Sequence, residues 1–406
     1  MNVAAHKAFE YVTEEIKFSL AAMNIQPETY KFMFPAGKDA ETIRKLVADG
    51  FFPTIPHLAP AFTYALLLCI IRLILQVVVL KPLALRAMKL SFAPIPAEAA
   101  VIEKSFPSSS SKKKYNDDEI HQICKSSQLK FEAVQRYLWS RKRNDFVSRK
   151  VSKFMEAFWR FLMYGVFCVI GYYTLFVPTV APWILDTNQH WDQWPSHRIT
   201  AQVEFYYHVQ LGAYLHQLLW TEVTRSDAVE MILHHLTTIL LLVFSFITNH
   251  TRVGSSILLL HDSSDVFLES AKVFNYTSKA KGHDWAKICC DIFFACFAVT
   301  FLVTRLVIFP RYIIFSVFFE APNHFGTEWA GFWFFCMLLV ILQILHIFWF
   351  YLIAKMIYRL LSTGIEKDER SDDDEDIGED CPPGSGKGNG KGSVGESSTS
   401  GSKKGN

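Results

Sequence analysis

The stretch MILHHLTTILLLVFSFITNHTRVGSSILLLHDSSDVFLESAKVFNY, Met231–Tyr276, decides how this chain is read. Both halves are apolar enough to be membrane helices, yet they carry His234, His235, His261, Asp262 and Asp265. An ionisable side chain at the centre of a bilayer costs at least ~2.5 kcal/mol, so such residues are rare there and line cavities or do chemistry. The short link TNHTRVG makes the two helices antiparallel neighbours. Reflection about His250 or Thr251 sets His235 level with residues 265 to 267. On the second helix His261, Asp262 and Asp265 fall at i, i+3 and i+4 spacings and share one broad face. His234 and His235 stand about 100° apart, so one can face the acids while the other faces substrate or a neighbouring helix.

The residues alone leave three readings open. Buried polar pairs can lock helices together, but five ionisable groups at one depth exceed what packing needs. Histidine and aspartate are proper metal ligands, yet adjacent histidines point apart and the repeated histidine clusters of membrane di-iron sites are absent, so no metal is expected. General-base or nucleophilic catalysis is the third, with an aspartate orienting an imidazole.

Composition gives the setting. Half of the 406 residues are hydrophobic, with 35 Phe, 15 Tyr and 10 Trp, while the formal charge is only +2, a membrane-protein profile with polar segments attached. The eight cysteines are scattered without paired spacing, which excludes a zinc framework and a secreted disulfide scaffold. The first twenty residues lack a charged segment followed by an apolar one, so no cleaved signal peptide is expected.

A window of about 19 residues finds seven candidate spans, near 61–80, 158–179, 203–221, 229–248, 254–273, 287–309 and 331–354. The expected fold is an all-α integral membrane bundle of about seven transmembrane helices. The third span is interrupted by His208, Gln210, His216 and Gln217, which suits a helix bordering a cavity. Residues 81–155 hold sixteen Lys and Arg, against one each in 181–202 and 310–330, so 81–155 is placed in the cytosol. The organisation that follows is a luminal segment 1–60, a first span 61–80, a cytosolic basic region 81–150, a membrane domain 151–360 and a cytosolic tail 361–406. The tail, acidic and then Gly/Ser/Lys-rich, is expected to be disordered. It ends near Lys403 and Lys404, a dilysine address for the endoplasmic reticulum. Ser371, followed by DDDED, suits an acidophilic kinase. The sequons at Asn249 and Asn275 are weak, one near the membrane and the other on the cytosolic side.

The run from Asp227 to Tyr276, with His234–His235, His261–Asp262, Asp265, Leu268–Glu269, Ala271–Lys272 and Tyr276, resembles the Lag1 motif of ceramide synthases in the TRAM/Lag1/CLN8 (TLC) superfamily. The resemblance extends to SKFMEAFWRFLMY at 152, WDQWP at 191, RLVIFP at 305, LQILHIFWFYL at 342 and DERSDDDED at 368; Phe246 departs from the motif, which often has Tyr or Trp there. It implies an acyltransferase that joins a fatty acyl-CoA to the amine of a sphingoid base, with acyl-CoA as co-substrate and no cofactor. A protonated amine needs a base, and a thioester's tetrahedral oxyanion needs donors in a dry site. His234, His235 and His261 would supply base, nucleophile or donor, and Asp262 and Asp265 would hold a tautomer or the ammonium. Coenzyme A would approach from the cytosol past Arg149, Lys150, Lys153 and Lys272, which the residues alone read equally as a solvated face. Residues 126–145 resemble the third helix of a homeodomain, but Ser140 stands where a reader of DNA carries Asn, so no functional DNA binding is expected and the basic cluster is assigned to membrane lipid or acyl-CoA. Association into a homo- or heterodimer is left open. The competing function is a non-enzymatic lipid-sensing or translocon-associated member of the same superfamily.

Overall fold

The computed structural model describes residues 51–105, apart from 54, with 116–176, 186–220, 228–327 and 330–363, and Lys45, Asp49 and Trp183 singly. The tail, Ser371, the dilysine and most of the segment 1–60 lie outside the described residues. Helices and no strand occur among the described residues. The chain divides into two units, one of residues 1–90 and 150–373, the other of 91–149 and 374–406.

The long helices of the first unit are α1 (Pro56–Ala87), α4 (Phe131–Leu175, entering at Lys150), α5 (Ala201–Leu219), α6 (Ala228–Ile247), α7 (Thr251–Ser278), α8 (Asp284–Phe325) and α9 (Ala330–Thr363). Five of them, α1, α4, α6, α8 and α9, are long and apolar enough to cross a membrane. α5 and α7, where two more of the seven expected spans lie, have the length of a span but are less apolar. α5 and α7 fall short because their polar side chains face the interior, among them His208, Gln210 and His216 on α5 and His261, Asp262 and Glu269 on α7. The first span is also longer than 61–80, since α1 continues through a π-helical turn at Gln76–Leu80 to Ala87.

Successive helices run between two ends of this unit. Lys89 donates to the Lys281 carbonyl at 2.6 Å at one end. At the other, Asn249 is fully buried and its amide donates to the carbonyls of Phe51 (2.9 Å) and His197 (2.8 Å). Gly212 brings α1 against α5, because a Cβ there would lie 2.7 Å from the Ala61 carbonyl oxygen. In α8 the backbone widens to a π-helix over Leu302–Ile314. Pro310 lies inside that stretch; proline lacks an N–H and clashes with the carbonyl four residues back, which a wider helix relieves.

Trp191, Trp194, His250 and Phe325 form an aromatic plug at the Asn249 end, with ring centroids 4.8 to 5.9 Å apart. Trp191 donates to Ser316 Oγ (2.8 Å) and Trp194 to the Thr248 carbonyl (3.1 Å), which ties the WDQWP segment down. Burial pulls the imidazoles of His190, His197 and His250, all outside the spanning segments, down to about 3.

The second unit is a small helical assembly: α2 (Ala99–Ser105), α3 (Asp117–Ser127) and the first part of α4 enclose Ile102, Ile120, Ile123, Val134 and Tyr137. The helix expected over 126–145 is corrected here. Gln128, at φ 57°, breaks the chain between α3 and α4, and 131–145 is the start of a helix 45 residues long. Two shorter helices do precede it. Ser140 is buried at 5 % exposure and faces this core instead of solvent.

Candidate active site

Five helices bring polar groups to one level of the first unit: α5, α6, α7, α8 and α9. His234 and His235, on successive residues of α6, diverge as helical geometry requires. The His234 ring lies nearly parallel to that of His261 at 6.2 Å and edge-on to Trp349 at 5.3 Å. His235 turns toward α5, where Tyr214 meets it at 6.0 Å. Both rings are buried and carry an Nδ1 without a hydrogen-bond partner among the described residues. The α6–α7 pairing is shifted by more than one helical turn from the reflection expected, since His234 meets His261. The chain reverses earlier than His250, with Asn249 in the left-handed region at φ 56°.

His261 has its tautomer set by its own helix. Its Nδ1 lies 2.7 Å from the Ile257 carbonyl oxygen, which only accepts, so Nδ1 carries the proton and Nε2 the lone pair. Nε2 then receives an N–H from His346 Nε2 at 2.8 Å. In the neutral ring, His346 Nδ1 is left unprotonated, and it is buried and unpartnered among the described residues. Of the two roles expected of the aspartates, holding a tautomer or the ammonium, neither aspartate is bonded to an imidazole among the described residues. Asp262, 2 % exposed, accepts from the Gln210 amide of α5. Asp265 accepts from Arg305 Nη2 at 2.7 Å and from Ser264 Oγ at 3.1 Å, and the same Nη2 reaches the His261 carbonyl at 2.9 Å. Arg305 is buried and stacks over Phe301, 4.7 Å from the ring centroid.

His346, Arg305, Gln210 and Tyr214 were not singled out as site residues in the sequence. Gln210 was noted on the polar face of the third span; the others were visible only as an isolated His or Arg in an apolar helix and a tyrosine among many. The basic residues expected to flank coenzyme A are not gathered here. Lys272 pairs with Glu269 at 2.7 Å, Lys150 is buried, and Arg149 and Lys153 are half-buried along α4. Among the described residues no group of three or more His, Cys, Asp or Glu could hold a metal ion.

An apolar cavity of about 630 Å³ begins one turn from this cluster, at Thr238 and Ile257. It is lined by Leu241, Leu242, Val253 and Leu258 and ends against Trp191, His250, Phe325 and Phe335. The arrangement is thus an apolar slot that begins one turn from the imidazoles and ends at an aromatic plug.

Residues 153–355, the stretch that supplies every side chain of this cluster, match the TLC domain model. The chain is 34% identical to human ceramide synthase 5 over 331 residues, 80% of this chain and 81% of that protein. It is 32% identical to mouse ceramide synthase 3 over 80% of this chain and 82% of that one. Over a shorter stretch, 58% of this chain and 79% of the relative, it is 36% identical to ceramide synthase LOH2 of Arabidopsis thaliana. Likeness at this identity to animal and plant proteins alike, over most of each chain, places the protein in the TLC-domain ceramide synthase (Lag1) family of acyltransferases.

Proposed function

We propose that the protein transfers a fatty acyl group from acyl-CoA to the amine of a sphingoid base, in two steps through an acyl-imidazole. The observation that carries this is the position of His234: buried, with an Nδ1 unpartnered among the described residues, one helical turn from Thr238, where a cavity lined by apolar side chains begins. A neutral imidazole away from water keeps its lone pair for attack. In the first step a His234 nitrogen bonds to the thioester carbonyl carbon, the C–S bond breaks, and the thiolate leaves with the imidazole proton. In the second, the sphingoid amine gives a proton to His235 and attacks the acyl carbon. The amide C–N bond forms as the bond from the acyl carbon to His234 breaks, the second amine proton passes to the departing imidazole, and His235 gives up the first to solvent. The acyl chain lies in the cavity through both steps, so coenzyme A and the sphingoid base occupy the approach to His234 in succession.

Asp265 and Arg305 fix the α7–α8 register behind His261, and Gln210 with Asp262 fixes α5 against α7. The Lys403–Lys404 pair supports assignment to the endoplasmic reticulum membrane, and the distribution of Lys and Arg supports a luminal N-terminus and a cytosolic C-terminus.

Incubation of purified protein with acyl-CoA alone, followed by intact-mass spectrometry, is expected to release one equivalent of coenzyme A and add one acyl mass. His234→Ala is expected to abolish both. Expression in cells that lack ceramide synthase, with lipid mass spectrometry, reports the product. Absence of ceramide there sinks the reaction; ceramide without an adduct sinks only the two-step route.

A further inference from the structure

On the opposite side of the imidazole cluster from the apolar cavity lies a second pocket, of about 180 Å³, lined by Arg72, Glu156, Trp159, Arg160, His216 and Trp220 among others. It is much smaller than the apolar cavity and its lining is polar, which suits a compact polar group and not a lipid chain. Its chemistry is unlike the rest of the unit. Glu156 takes one oxygen to Arg72 Nη2 and the other to Arg160 Nε, the latter at 2.9 Å. One carboxylate thereby fixes two guanidinium groups and leaves an excess of one positive charge.

Several donors remain unspent. Arg72 Nε, Trp159 Nε1 and both nitrogens of His216, one of which carries the N–H of the neutral ring, are buried without a hydrogen-bond partner among the described residues. His216 is fully buried, Arg72 is 3 % exposed and Trp159 4 %. Trp220 backs the pocket, with the Arg72 guanidinium 4.7 Å from its ring centroid and the His216 ring stacked at 4.8 Å. Unmet donors cost free energy of order 1–3 kcal/mol each, and they persist where a ligand supplies the acceptors. Arg160 and Glu156 keep side-chain exposures of 20% and 29%, so the pocket is open on one side.

We infer that this pocket is a subsite for a phosphate group, held by Arg72, Arg160, the Trp159 indole N–H and His216. Two guanidinium groups with an indole donor, and no further carboxylate among the described residues of the lining, select a compact anion. Its place in the fold suggests which. His216 lies two residues beyond Tyr214, the neighbour of His235, and the pocket lies toward the α5 C-terminus, about 10 Å along the helix from Gln210. Resting on the function proposed above, the phosphate is the pyrophosphate of the acyl donor. Its thioester would then meet His234 while its chain enters the cavity on the far side. A phospholipid headgroup has the same chemistry and is the other source.

The test uses the purified full-length protein in phosphatidylcholine nanodiscs and reads binding, not turnover. Calorimetry with coenzyme A and with pantetheine, which lacks the phosphates, is compared in wild type, Arg160→Gln, Trp159→Phe and the double variant Arg72→Gln/Glu156→Gln, which removes the buried pair together. Wild type is expected to prefer coenzyme A, and each variant to lose about tenfold or more of that preference while pantetheine binding is unchanged. If the preference is intact but native mass spectrometry shows an anionic phospholipid lost from the variants, the phosphate site stands with the lipid as its source. Variants that retain both, or that lose coenzyme A and pantetheine equally, overturn it. Failure to acylate a sphingoid base with coenzyme A binding intact would sink the reaction alone.

Discussion

α1 and α5 pack against one another through Gly212, and they are opposites. α1 turns Phe62, Leu66, Leu67, Ile70, Ile71, Leu73 and Ile74 outward, with Arg72 its buried charge. α5 turns Tyr206, Tyr207, His208, Gln210, Tyr214 and His216 inward. In water such an outer face would be a liability; against lipid tails it costs nothing, and burial has to be reserved for what lipid cannot solvate. The helix that advertises itself most clearly in the sequence therefore holds little of the chemistry. The helix that looks like a poor span holds one wall of the site.

Perturbing the interior polar wall should matter far more than perturbing the outer face. The largest effect is expected from His346→Phe, which strips His261 Nε2 of its only assigned donor. Turnover in a liposome assay should fall by about 10² to 10⁴-fold, the range for positioned proton-transfer groups, with helicity retained by circular dichroism. Turnover within about threefold of wild type would make the His261–His346 bond a packing contact and break the contrast.

An intermediate effect concerns the aromatic plug. His190, His197 and His250 ionise near 6.5 when unfolded and only near about 3 when folded, so protons favour the unfolded chain. Stability is full above that unfolded value and is lost as pH falls below it. Between pH 7.5 and 6 each histidine should remove about 0.8 kcal/mol. The melting temperature in detergent should drop over that interval, and His197→Gln should flatten the slope; a flat wild-type profile would mean water reaches these rings. The smallest effect belongs to α1: Ile70→Ala or Ile74→Ala should change stability by under about 0.5 kcal/mol and leave turnover alone. A large loss there would reveal a protein partner covering that face.

The sequence exposes a site residue when its polarity breaks an apolar run near other polar residues. That is why His234, His235, His261, Asp262 and Asp265 were legible, two short clusters on helices joined by a seven-residue link. His346 was not, because its partner is 85 positions away and nothing around it in α9 is charged. Arg305 was hidden for the same reason, inside a stretch whose backbone departs from regular α geometry. The register error had a local cause. A reflection assumes a symmetric turn, and the left-handed Asn249, held by carbonyls from two other segments, makes this one asymmetric. The helical class was plain from hydropathy, whereas α5 and α7 were harder to read because polar interior helices have the length of a span without its composition.

The same asparagine has a consequence for biogenesis. Asn249-His250-Thr251 reads as an acceptor for N-linked glycan, yet its amide is fully buried and spent on three carbonyls, those of Phe51, Pro195 and His197. An oligosaccharide there and this fold exclude one another. Any chain carrying sugar at that position would be one that was modified before the turn closed and never completed it, so glycan occupancy at Asn249 would count failed molecules and not mature ones.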